Sequence, residues 1–126
     1  MDRYFKGLTV CLCVVVFVSC AHHRERTNKD VISYGIKLAK NDLWEEAAVH
    51  WKKVLENDPN NVAALNNLAI AAEVEGYMER AEQIISKAYK LKPDSEIVKK
   101  NAVAIQKHSK TLDEIQDSVK DKGENQ

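Results

Sequence analysis

Three cysteines, four histidines and two tryptophans are the residues of this 126-residue chain that could carry chemistry. Cys11 and Cys13 sit inside an apolar run, and Cys20 closes it. His22 and His23 follow directly, His50 precedes Trp51, and His108 lies far downstream. No HExxH and no i,i+4 histidine pair is present, so neighbouring His22 and His23 supply at most two ligands, and no metal site is expected. Ser33, Ser86, Ser95, Ser109 and Ser118 fall in helical periods or at caps, without the glycines of a nucleophile elbow. GxGxxG and P-loop strings are absent too. No catalytic residue, enzyme activity or cofactor is expected. Tyr34, Trp44 and Trp51 could stack on a sugar, but each is expected to pack in the core.

The chemistry therefore concentrates at Cys20. Arg3 and Lys6 precede an 11-residue run from Leu8 to Val18, which ends at Ser19-Cys20 before the polar AHHRER. That is the layout of a secretory leader, and it falls short of the about 20 apolar residues a spanning helix needs. Phe17-Val18-Ser19-Cys20 resembles the bacterial lipobox; phenylalanine stands where leucine is usual. The resemblance implies cleavage after Ser19, a diacylglyceryl thioether on Cys20, and residence in a bacterial envelope. Two or three acyl chains hold permanently where one binds reversibly. Cys11 and Cys13 would leave with residues 1–19, and blocked Cys20 leaves no thiol for disulfides or metal. Ala21 is not the aspartate that retains such proteins in the inner membrane of enteric bacteria, which favours the outer membrane facing the periplasm. Residues 20–27 read as lipidated cysteine and tether.

The elements that follow are helical. Two prolines and four glycines disfavour frequent tight turns, and 19 basic against 19 acidic side chains argue against a nucleic-acid partner. Both prolines lie 34 residues apart, and sliding the chain by that distance superposes Glu45 on Glu79, Ala47 on Ala81, Lys53 on Lys87 and Pro59 on Pro93. Val31, Tyr34, Gly35 and Leu38 keep helical spacing, as do Ala47, Trp51, Val54 and Leu55. Asn41-Asp42 and Glu75-Gly76 interrupt the pattern within each unit, and DPNN and KPDS divide the units. The expected helices are 29–40, 43–57, 62–75, 78–91 and 95–118.

Gly35, Ala47, Val54 and Pro59, then Ala69, Ala81, Ala88 and Pro93, together with Trp51 and the strings LENDPNN and NNLA, resemble the tetratricopeptide repeat (TPR). The resemblance implies an all-α, right-handed solenoid over residues 28–118, with repeats at 28–61 and 62–95. A third unit does not follow, because Lys99, Gln106 and Ile115 fall on its signature places. Residues 95–118 read instead as a capping helix with Val98, Ala102, Ile105, Leu112, Ile115 and Val119 on one side, and 119–126 as a solvated tail. The same seam could pair with a second copy.

A TPR pair implies a concave surface for a partner's peptide or helix. By register it takes Ile32, Ile36 and Ala39 from the first unit and Ala63, Asn67, Ile70 and Val74 from the second. Asn67 stands where related repeats hold a ligand's backbone, and Ile32 and Ile36 replace the clamp that others use for C-terminal carboxylates. The sequence therefore reads as a membrane-anchored, non-catalytic adaptor for an envelope assembly: pilus, secretion, outer-membrane biogenesis or wall remodelling. A small-ligand- or metal-binding periplasmic lipoprotein and a homodimeric structural lipoprotein remain open beside it.

Overall fold

The computed structural model describes residues 28–123; the leader, Cys20 and the tether lie outside them. The described residues form five helices and no strand. Helix α1 covers 28–39, α2 Trp44–Asn57, α3 Val62–Val74, α4 Met78–Leu91 and α5 Glu96–Gly123. The first four agree with the periodicity to within a residue at each end. Helix α5 runs five residues further than expected, because no proline or glycine interrupts it before Gly123.

The 34-residue period is visible in the backbone. Within each pair the turn passes through one left-handed residue at the same place, Asp42 (φ 59°) and Gly76 (φ 83°). The next N–H reaches back five residues in both, from Leu43 to the Leu38 carbonyl and from Tyr77 to the Ala72 carbonyl, closing a Schellman turn each time. Between pairs, proline prevents the helix from continuing and asparagine starts the next one. The Asn61 side chain accepts from the Ala64 N–H at 3.0 Å, so an otherwise unpaired donor at the start of α3 is satisfied.

Helix α3 is the shared wall of the molecule. Ala64, Leu68 and Ala71 face a first core with Ala47, Trp51 and Val54 of α2. Leu65, Ala69 and Ala72, one residue on, face a second with Ala81, Ile85 and Ala88 of α4 and Val98 and Ile105 of α5. Burial on two sides explains why VAALNNLAIAAEV is apolar almost all round. The repeat-signature residues Gly35, Ala47, Trp51, Ala69, Ala81 and Ala88 are buried, and Pro59 and Pro93 are exposed in the inter-pair turns.

Two expectations need correction. Tyr34 is 52% exposed instead of packing in the core, and its ring meets His50 edge to face at 4.8 Å. The buried arc of α1 is centred on Gly35 and Ala39, and one residue turns a helix by about 100°, which carries Tyr34 past its edge. Leu112 and Ile115 are likewise exposed, while Val98 and Ile105 are buried. Helix α5 lies beside α3 in the same direction, with Asn101 bonded to Asn66 and His108 to Glu73 at a constant offset of 35. Because α3 ends at Val74, α5 overhangs it from about Ser109 onward. The side chains of Val119 and of residues 121–123, and residues 124–126 altogether, are not among those described.

Candidate functional site

Where α1, α2 and α3 meet on the groove side, the structure contains an apolar cavity of about 280 Å³. Ile36 and Ala39 from the last turn of α1, Lys40 directly after it, Trp44 and Trp51 from α2, and Asn67 and Ile70 from α3 line it. Helix pairing creates this hollow. Gly35 lets α2 approach so closely that an added Cβ would sit 2.5 Å from Trp51 Nε1. The indole is consequently buried, and Nε1 donates to the Ile32 carbonyl at 3.3 Å. With its N–H engaged, Trp51 offers the cavity ring carbon alone.

One polar group on α3 is oriented from a distance. Asn101 Nδ2 on α5 donates to Asn66 Oδ1 at 2.9 Å, and Asn66 Nδ2 donates to Asn67 Oδ1 at 3.3 Å. Asn66 is buried, so the bond from Asn101 satisfies an acceptor that would otherwise be costly. The Asn67 amide N–H groups then have no protein acceptor among the described residues, leaving them able to donate to a carbonyl lying in the groove.

Of the seven residues assigned to a partner surface, the cavity brings together Ile36, Ala39, Asn67 and Ile70. Ile32 is half-buried and packs on the first core, so its side chain is not open surface. Ala39 is mostly buried as well and contributes only wall. Ala63 and Val74 are exposed outside the cavity. Lys40, Trp44 and Trp51 line it without having been assigned to it. The i,i+4 step from Ile36 to Lys40 and the i,i+7 step from Trp44 to Trp51 were the available signals, but they do not reveal a space between three helices.

The size and chemistry of the hollow limit its occupants. Small-molecule sites run to roughly 300–1,000 Å³, so this one fits one or two apolar side chains better than a whole ligand. A second space of about 10 Å³, beside Glu75, Tyr77 and Arg80, is too small for either. Among the described residues no three His, Cys, Asp or Glu side chains gather to hold a metal, and no helix is long and apolar enough to cross a membrane.

Paired antiparallel helices repeated at 34 residues, with an open groove along the first helix of each pair, define an all-α TPR-like solenoid. The fold of the second TPR domain of Spaghetti (RPAP3), solved with the HSP90 peptide SRMEEVD, is similar, with a TM-score of 0.64 over 79% of this chain and 93% of that one at 17% identity. The chain belongs to the family described as "Domain of unknown function (DUF6340)", whose model matches residues 33–117. No protein of curated function matches the sequence.

Proposed function

We propose that the chain is a bacterial lipoprotein, anchored through Cys20 in the outer membrane and facing the periplasm, that holds a segment of another envelope protein in its groove and catalyses no reaction. The apolar cavity between Ile36 and Ile70, with the Asn67 amide beside it, is the observation that carries the reading. A peptide would seat an apolar side chain in the hollow and present a backbone carbonyl to Asn67. The RPAP3 domain is bound to the peptide SRMEEVD, which ends in an aspartate. Here Ile36 makes the first wall apolar, so the anchor differs in kind. Anchoring to lipid rests on Val18-Ser19-Cys20 at the end of the leader. Which envelope assembly supplies the partner is set by the segment that fits this hollow.

Crosslinking in native membranes, followed by pull-down and mass spectrometry, tests both halves. The wild-type chain is expected to recover one envelope complex, Cys20→Ala to lose it, and Ile36→Asp or Ile70→Asp to lose it while remaining folded. Binding energy is concentrated in a few buried anchors, so a charge at either isoleucine should remove most of it. Unchanged recovery by both folded aspartate variants would overturn the groove assignment. Unchanged recovery and membrane fractionation by Cys20→Ala would overturn the lipid anchor.

A further inference from the structure

The same molecule leaves two apolar features uncovered at one end. One is the cavity, formed at the last turn of α1 and at the matching level of α3. The other is the part of α5 that has passed the end of α3, where Leu112 and Ile115 are 43% and 55% exposed. Asn101 and His108 lie level with Asn66 and Glu73, so the overhang begins about one to two turns beyond the cavity. Leu112 and Ile115 stand at i and i+3, the spacing with which an amphipathic helix inserts anchors into a groove. A continuous α5 points this segment away from its own groove.

We propose that the groove takes the overhanging part of α5 from a second copy, with Leu112 and Ile115 entering the cavity beside Ile36 and Ile70. This inference rests on the groove being a docking surface for apolar side chains, as proposed above, and names an occupant for it. Charge selects that segment over others of the chain. From Leu112 to Ser118 the helix carries Asp113, Glu114 and Asp117 and no base, whereas the α1 edge of the groove carries exposed Lys37 and Lys40 and no acid between Ile36 and Lys40. Both features lie at one end, so two copies can exchange helices reciprocally about a twofold axis and close the assembly. A client protein would then compete with the second copy for the cavity.

Thiol trapping of the full-length chain in detergent, with Cys11, Cys13 and Cys20 changed to serine, distinguishes this pairing. One preparation carries Ile36→Cys, another Ile115→Cys, and both positions are exposed enough to accept the change. Under mild oxidation the mixture is expected to form the crossed dimer and each preparation alone to stay uncrosslinked. Asp113→Lys with Asp117→Lys on the second preparation should reduce the crossed product at least tenfold, and Lys37→Glu with Lys40→Glu on the first should restore it. Ile115→Cys crosslinking to itself would show α5 pairing with α5 and overturn the inference. Absence of any crossed dimer would overturn it as well. If Ile36→Asp still abolishes recovery of an envelope partner in either case, the groove reading stands and self-docking alone fails.

Discussion

At Gly35 the absence of one carbon decides how the first helix pair closes. Trp51 occupies the space a Cβ would take, with Nε1 2.5 Å and Cε2 2.8 Å from that point. In the second pair the corresponding places hold Ala69 and Ile85, so a larger residue on the first helix is matched by a smaller one on the second. Close packing turns this exchange of volume into stability. Gly35→Ala should therefore cost about 1–3 kcal/mol by overpacking, read as a lower urea midpoint at unchanged m-value. Combining it with Trp51→Leu should cost clearly less than the sum of the two single changes, since the residues touch. An additive double variant would mean that the contact is not what limits the approach. Trp51 also floors the cavity, so Gly35→Ala should weaken partner recovery too.

Elements begin and end in this chain for local reasons that repeat after 34 residues. Asp42 and Gly76 occupy the same left-handed position, which penalises an ordinary side chain by about 1–2 kcal/mol. Nothing lies within 4 Å of a Cβ built on Gly76, so Gly76→Ala should show the backbone cost with little steric addition. Asp42→Gly should move the other way and raise stability by up to about 1 kcal/mol, offset in part by the freer unfolded chain. Thermal unfolding of the two variants checks the pair, and opposite shifts in melting temperature are expected. Asn61→Ala removes the side-chain acceptor for the Ala64 N–H and should cost about 1 kcal/mol in the same assay.

For the whole molecule, α5 has two halves with different work. Its first half closes the second core through Val98 and Ile105 and orients the groove amide through Asn101. Its second half leaves Leu112 and Ile115 in solvent. A chain ending at Lys110 should keep the melting temperature of the full chain at low concentration. A chain ending at Asp94 should lose cooperative unfolding, because an end repeat with an exposed apolar face is not stable by itself. Circular dichroism during heating reads both truncations. Equal melting temperatures for the two would show that α5 does not close the core.

Helical class, period and pairing are legible in the sequence, because they depend on spacing along one chain. Alanine at 34-residue intervals, proline between units and apolar residues at helical steps are local facts, and α1 to α4 follow from them closely. The lipobox resemblance is likewise a matter of sequence and belongs to residues outside the described fold. What needed the tertiary structure were relations between helices. Tyr34 and Ile32 exchange their expected surroundings because the buried arc of α1 is set by where Trp51 enters. Leu112 and Ile115 continue the pattern of Val98 and Ile105, and only the end of α3 determines that they meet no wall. The cavity draws on three helices, with Lys40, Trp44 and Trp51 completing what Ile36, Asn67 and Ile70 began. Periodicity records which way a side chain faces on its own helix, and a shared hollow depends on how far apart the helices stand.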